Sequence, residues 1–258
     1  MCTSPRSLLN QVYNTPVNNE TVKKLITLNA QFYQTFAIQF SDTRVRLQPG
    51  VRRIMETLPK KANLLDLGCG NGTLARELAS RGHRGTYIGL DFSEGLLSLA
   101  RGRLPPQFLF IQADLATPGW DSHFEIRNSK FGYVLAFAVF HHLPGHHLRH
   151  RILKEIHDLL PPKGRLIHSE WQFLSSPRLS ERIQPWGSVG LSANDVDEGD
   201  YLLDWRHGGA GLRYVHHFSE AELTELAAEA GFHVLESFLS DGEGGRLGLY
   251  QVLERLST

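Results

Sequence analysis

The sequence predicts an α/β fold: a parallel sheet with helices on both faces. Three observations carry that expectation. From residue 63 onward, hydrophobic strand-like runs alternate with helical ones. The first such run, "NLLDLGC", passes into a glycine-rich turn and then a helix. Two more strand-like runs, "HVLESFL" and "LGLYQVLE", close the chain across the turn-rich "SDGEGGR".

The elements follow in order. Residues 1–19 are polar and rich in Asn, Pro and Ser, so no packed element is expected there. "ETVKKLITLNAQFYQTF" places Val22, Leu25, Leu28, Phe32 and Phe36 at helical spacing. A turn at "SDTR" precedes a short helix near 49–58. After strand one, "TLARELASRG" reads as a helix ended by Gly82. "GTYIGLD" is strand two, and "SEGLLSLARGRL" a helix capped by Ser93. "FLFIQAD" and "FGYVLAFAV" are strands three and four. "HHLRHRILKEIHDLLPPKG" is a helix stopped by its proline pair and Gly164, and "RLIHSEW" is strand five. Residues 172–217 break the rhythm; they are Gly-rich and aromatic, with short helical patches at most. "SEAELTELAAEAGF" then starts a helix with the capping-box pair Ser219 and Glu222.

The bulk numbers bound the function. The chain has 258 residues, 41% hydrophobic and 21% charged, ordinary for a globular protein. No apolar run approaches the roughly 18 residues of a membrane span, and the first twenty residues lack the layout of a secretory signal. Two cysteines, Cys2 and Cys69, make no disulfide framework, so a reducing, cytoplasmic compartment is the default. The 27 basic and 27 acidic residues cancel, which argues against a strongly basic nucleic-acid protein. The charge is nevertheless segregated. Residues 1–60 hold eight Lys and Arg against three Asp and Glu, while "ANDVDEGDYLLD" is acidic throughout.

The informative stretch is "LLDLGCGNGTLA". Gly68, Gly70 and Gly72 let the backbone turn sharply and approach a ligand at the carboxyl end of the sheet. A glycine turn with no ligand is the plain alternative. The spacing is G-x-G-x-G, unlike the G-x-G-x-x-G of dinucleotide sites. Asp66 lies inside strand one, suited to a cationic group. Asp91 ends strand two, where an acid holds a ribose diol. Asp114 ends strand three, placed for an adenine amino group.

"LDLGCGNG", "YIGLDFS" and "FIQADLA", in that order, resemble the class I S-adenosylmethionine-dependent methyltransferases over roughly residues 50–171 and the last two strands. The resemblance implies a Rossmann-like sheet of seven strands, the last antiparallel, with an N-terminal helical extension and an insertion after strand five. It implies one domain over 1–258: a cap (1–58), a cofactor-binding core (59–171), a lid insertion (172–217), and a C-terminal helix with two strands (218–258). S-adenosylmethionine is the implied cofactor. Asp66, Gly68, Cys69, Gly70 and Gly72 would line its methionine end, Asp91 the ribose hydroxyls, and Phe92, Asp114 and Leu115 the adenine. Ala136 would touch it from strand four, and Tyr33 joins this set. A sulfonium carries its own leaving group, so proximity and in-line orientation supply most of the catalysis.

The flanks suggest the acceptor. "FYQTFAIQFSDTRVRLQPGV" and "GDYLLDWRHGGAGLRYVHHFSEAELTELAAEAGFHVLESFL" resemble the tRNA wobble-uridine carboxymethyl methyltransferases. The match departs where that family has Trp-Pro and this chain Gln48-Pro49, and where Asp204 replaces a proline before Trp205. That family esterifies a carboxylate, already a nucleophile at neutral pH, so the need is a cationic clamp. Arg44, Arg206 and Arg213 are the candidates for it, with His142 as a further catalytic candidate. Trp205, Tyr214 and His217 are candidates for stacking or positioning a base, as is Tyr33. The plain alternatives are lid core for Trp205 and Tyr214, and a helix cap or a pair with Asp42 for Arg44. The resemblance leaves tRNA as partner, and members of this family can need a small activator subunit. A methyltransferase acting on a small-molecule metabolite is the alternative. A non-catalytic partner protein of the same fold is a second, against which the intact Asp66, Asp91 and Asp114 speak. An NAD-dependent oxidoreductase is disfavoured by the glycine spacing.

"FHHLPGHHLRH" packs five of the 13 histidines into residues 140–150. A metal site is disfavoured because no Cys or acidic ligand lies in the run. His141 and His142 are expected at the site rim. His146, His147 and His150, with Arg149 and Arg151, are expected to form a basic helix surface.

Overall fold

The structure is a computed structural model and describes residues 17–43, 46–102 and 104–256. Helix α1 (Asn19–Thr35) starts where Asn18 accepts a hydrogen bond from the Thr21 N–H, and two short helices follow, α2 (Ala37–Asp42) and α3 (Pro49–Thr57). The alternation then begins: β1 (Leu64–Leu67), α4 (Thr73–Ser80), β2 (Tyr87–Asp91), α5 (Glu94–Ala100), β3 (Phe108–Gln112), α6 (Phe124–Arg127), β4 (Tyr133–Phe137), α7 (His146–Leu159) and β5 (Arg165–Trp171). After α8 (Pro177–Ser180) come β6 (Ile183–Gln184), β7 (Asp200–Trp205) and β8 (Gly211–His216). Helix α9 (Glu220–Glu229) and strands β9 (Phe232–Ser240) and β10 (Gly248–Arg255) complete the chain.

The main sheet has seven strands in the order β3-β2-β1-β4-β5-β10-β9. Strands β1 to β5 pair in parallel, and the last strand, β10, lies antiparallel between β5 and β9. Period-two alternation splits the sheet into two buried faces. Leu65 and Leu67 of β1 pack with Ile152, Leu153 and Ile156 of α7 and with α9. Leu64 faces the other way, against Val51 and Ile54 of α3 and Leu74 and Leu78 of α4. Asp66 shares that second face and is buried. Burying each such leucine contributes about 1.5–3 kcal/mol.

Residues 172–217 hold the expected short helical patches, α8 and three 3-10 turns, but the expectation of nothing more is corrected: they also hold a second, three-stranded antiparallel sheet, β6-β7-β8. The runs "DYLLDW" and "GLRYVH" are strand-like and separated by the glycine-rich "RHGGA", which is a hairpin pattern. Their register pairs Leu202 with Tyr214 and Leu203 with Arg213. Strand β8 packs on α1, so the insertion and the N-terminal helix form one roof.

The capping box at Ser219 forms by half. Ser219 accepts from the Glu222 N–H at 3.1 Å. The Glu222 carboxylate instead meets the His216 ring at 2.9 Å and lies 3.6 Å from Arg149. Arg149 also corrects the expected basic surface of α7. It is 1% exposed, bonded to the Leu143 carbonyl and the Tyr214 hydroxyl, and 3.5 Å from Asp200. Arg151 pairs with Glu155 and donates to the carbonyls of Leu115 and Ala116. Among the described residues, no helix is long and apolar enough to cross a membrane.

Candidate active site

The carboxyl ends of β1, β2, β4 and β5 open under the α1–β8 roof into a cavity of about 540 Å³. Its floor at one end is the glycine turn. Gly68, Gly70 and Gly72 have φ of 64°, 55° and 73°, the left-handed region that only glycine adopts without strain. A side chain at Gly68 would also meet Val139, while Gly70 faces open space. The turn is fastened by Asp91, whose carboxylate accepts from the Gly70 and Ser93 N–H groups, each at 2.9 Å. Asp66 accepts from the Tyr87 hydroxyl below it.

Two buried carboxyls therefore stand side by side. Burial is the main cause that raises Asp66 to about 7, against the Tyr87 hydrogen bond, with Asp91 adding repulsion. Burial likewise raises Asp91 to about 6, against its backbone hydrogen bonds. A pair held this high is a site waiting for positive charge. The backbone cradle and this acid pair fit a ligand that brings a cationic group to Asp66 and hydroxyl donors to Asp91.

Phe92, Asp114 and Leu115 line the same end. Asp114 is exposed and accepts from the Ala116 N–H at 2.9 Å. Tyr33 and Cys69 line the cavity as well. Ala136 does not: it is fully buried in the core, and Phe137, Ala138 and Val139 line the cavity instead. Strand β4 ends at Phe137, so the residues beyond the pleat are the ones that reach the opening.

At the other end, the acceptor candidates divide. Arg213 lines the cavity, 6% exposed, with its guanidinium 4.8 Å from the Trp171 ring centroid, 5.4 Å from Phe32 and 5.6 Å from Trp205. His142 lines it too, its Nε2 2.7 Å from the Tyr33 hydroxyl. The others lie elsewhere. Arg206 is exposed and pairs with Asp204 at 2.6 Å. Trp205 packs among Phe32, Phe36 and Phe40 and donates to the His207 carbonyl. Tyr214 is fully buried, donating to Asp200 at 2.6 Å and accepting from Arg149. His217 stands edge-on to Phe173, outside the cavity. Arg44 lies outside the described residues. Along β8, the consecutive residues Arg213 and Tyr214 point to opposite faces, so one reaches the cavity and the other the core.

The histidine run separates by depth. His141 is buried against Glu170, His142 reaches Tyr33, and His146 pairs with Glu229 at 2.9 Å on the surface of α7. Glu170, Trp171, Asp241 and Tyr250 also line the acceptor end, and sequence reasoning did not single them out. The Tyr250 hydroxyl donates to Asp241 at 2.6 Å, and Asp241 accepts from the Gly50 N–H at 2.9 Å. Glu170 carried a usable signal, an acid beside the C-terminal end of a strand adjacent to the glycine-turn strand's neighbour.

Comparison with known proteins agrees with this geometry. Residues 40–237 match the family profile described as a methyltransferase domain. The 2-phytyl-1,4-naphtoquinone methyltransferase of Thermosynechococcus vestitus is 30% identical over 70% of this chain and 76% of its own length. The tRNA (carboxymethyluridine(34)-5-O)-methyltransferase of Schizosaccharomyces pombe is 26% identical over 80% of this chain and 89% of its own. The crystal structure of a SAM-dependent methyltransferase from Methanosarcina mazei shares the fold, with a TM-score of 0.62 at 23% identity, over 82% of this chain and 99% of that one. With a domain match spanning most of its length, a glycine cradle and a pair of buried acids at the strand ends, the chain belongs to the methyltransferase-domain family and has the fold of the M. mazei SAM-dependent methyltransferase.

Proposed function

We propose that this enzyme methylates a carboxylate on a modified wobble uridine of tRNA, with Arg213 holding the acceptor. The observation that carries the reading is the place of Arg213: a buried guanidinium on the cavity wall, ringed by Trp171, Phe32 and Trp205. A buried arginine favours a carboxylate, which it can take in two parallel hydrogen bonds. The aromatic surround suits a flat base beside it. The S. pombe relative adds support, since its name describes this reaction.

S-adenosylmethionine supplies a methyl group on a sulfonium, which is its own leaving group. In this reading Asp66 and the Gly68–Gly72 turn hold the methionine end. Asp91 takes the ribose hydroxyls, and Phe92, Asp114 and Leu115 border the adenine. Tyr33 fixes His142, and His142 borders the acceptor. Arg213 orients the carboxylate oxygen for in-line attack, and no residue has to remove a proton. Most of the rate then comes from orientation inside the cavity.

A second reading, a small planar metabolite as acceptor, is favoured by the roof. Asn29 of α1 accepts from the Tyr214 N–H at 2.8 Å and donates to the carbonyls of Tyr214 and His142, which closes the cavity from above. The test is methyl transfer from labelled cofactor to carboxymethyluridine-containing tRNA and, in parallel, to a metabolite extract. Label in the tRNA, lost on base treatment as an ester, is expected. Label confined to small molecules would remove the tRNA reading.

A further inference from the structure

A carboxylate acceptor arrives without a proton, yet the acceptor end of the cavity holds a built base. Glu170 is the penultimate residue of β5 and is 1% exposed. One oxygen meets Nδ1 of His168 at 3.0 Å. The other accepts from the His141 N–H at 3.0 Å and meets Nδ1 of the same histidine at 2.8 Å. Burial alone would raise Glu170, but the hydrogen bonds from the two imidazoles outweigh it and hold the carboxyl below its usual range. Glu170 thus stays ionised and fixed from three sides.

A carboxylate facing Nδ1 puts the proton there and leaves the lone pair on Nε2. The Trp171 N–H also donates toward the same Nδ1 at 3.3 Å, which calls for the opposite tautomer, but the bond to the Glu170 carboxylate is shorter, at 2.8 Å, and charge-assisted, and it favours the proton on Nδ1. His141 lines the cavity, and its Nε2 has no hydrogen-bond partner among the described residues. An imidazole oriented by a buried acid, with its free nitrogen toward a cavity, is the arrangement of a general base. Beside it, the Trp171 ring centroid lies 6.4 Å from that of His141 and 4.8 Å from the Arg213 guanidinium. Phe137 and Tyr250 add aromatic wall. The site can thus hold a flat ring with a hydroxyl at His141 and a cation near the oxygen.

We propose that His141, oriented by Glu170, is the general base for methylation of a phenol-type hydroxyl on a flat aromatic acceptor, with Arg213 stabilising the oxyanion that develops. The acceptor O–H bond breaks and its proton moves to Nε2 of His141. The oxygen forms a bond to the methyl carbon as the carbon–sulfur bond breaks, and that electron pair goes to sulfur. The products are the aryl methyl ether, the neutral thioether of the cofactor and one proton, passed from His141 to solvent. This inference rests on methyl transfer itself and not on tRNA as acceptor.

The experiment uses the full chain, labelled S-adenosylmethionine and two probes on one ring: 2-naphthol, which carries a hydroxyl, and 2-naphthoate, which carries a carboxylate. Label should enter 2-naphthol as the methyl ether. His141→Gln and Glu170→Gln should each lower that rate by about 10²-fold or more, with cofactor binding by calorimetry retained as proof of folding. The wild-type rate on 2-naphthol should rise with pH, and this limb should vanish in His141→Gln. His142, Tyr33, Arg213, Asp241 and Tyr250, from the elements around it, also face the cavity, and they remain in the variant as the control. Independently of turnover, imidazole ¹⁵N spectra at neutral pH should show His141 with its proton on Nδ1. Labelled 2-naphthoate with unlabelled 2-naphthol would overturn the inference and leave the carboxylate reading standing. So would wild-type rates in His141→Gln, or the proton on Nε2.

Discussion

The Tyr33 hydroxyl donates to Nε2 of His142 across 2.7 Å, and Nδ1 of His142 points to the Tyr214 carbonyl at 3.3 Å. Three segments far apart in sequence meet on one imidazole: α1, the turn after β4, and β8. Removing only the hydroxyl tests that junction. Tyr33→Phe keeps the ring against Phe32, Phe40 and Phe92. It should lower stability in urea by about 1 kcal/mol and raise the acceptor KM more than it lowers kcat. A variant with unchanged stability and unchanged KM would show the bond to be idle.

The acid pair predicts how cofactor affinity depends on pH. Burial raises Asp66 to about 7 and Asp91 to about 6, so the free folded chain keeps protons that the unfolded chain releases near the ordinary carboxylate value. Stability of the free enzyme therefore falls as pH rises from about 4 to about 7, and levels off above. A cationic ligand prefers the ionised acids. Its affinity should rise with pH through this window, by up to about tenfold per unit for each coupled proton. Calorimetry across the window, in buffers of different ionisation heat, reads both the affinity and the protons released. A flat affinity would refute the assignment of these acids to the cofactor.

Arg213 predicts a loss that its neighbours do not share. Arg213→Met keeps the packing against Trp171 and Phe32 and removes the charge. For an anionic acceptor, kcat/KM should fall by about 10²–10³-fold, while cofactor affinity moves far less. Arg213→Lys keeps the charge but not the planar fork, and should recover only part of the loss. The exposed Arg206, paired with Asp204, serves as the control: Arg206→Met should leave kcat/KM within error.

The roof has its own anchor. Asp200 accepts from the Tyr214 hydroxyl and the His216 ring, each at 2.6 Å, and Arg149 lies 3.5 Å away. Asp200→Asn removes one of the two carboxylates, Asp200 and Glu222, that lie 3.5 and 3.6 Å from the buried Arg149 guanidinium, and should cost about 3 kcal/mol. The pH dependence has a sign. Burial lowers the His216 imidazole, but hydrogen bonds to Asp200 and Glu222 outweigh it and raise the group above its ordinary value. Its contribution is complete below the ordinary 6.5 and is lost as pH rises through the raised value. Urea midpoints between neutral and alkaline pH should therefore fall in the wild type and fall less in Asp200→Asn.

How much was legible in the sequence follows from where the signal is local. The place of the glycine turn, Asp66 and Asp91 on the cavity was readable because backbone conformation and strand ends are local properties. Strand five was read residue for residue, from "RLIHSEW". The hairpin of β7 and β8 was missed although its glycine-rich turn is plain, because aromatic and acidic residues masked the alternation. The acceptor end was the least readable. Face parity assigned Arg213 to the cavity and Tyr214 to the core, and parity needs the register, which a single sequence does not supply. Ala136 went to the core for the same reason: the strand ended one residue later than the site required. Glu170 gained its meaning only when folding brought His141 and His168 to its two oxygens.

Asn29 has a consequence for how the roof is held. Its amide engages both backbone groups of Tyr214 and the carbonyl of His142. Aspartate at that position would offer no donor to the two carbonyls, glutamine would place the amide a methylene too far, and leucine would leave all three groups dry. One side chain thus ties the first helix to both the insertion and the turn after β4, so the roof of this chain depends on a single amide.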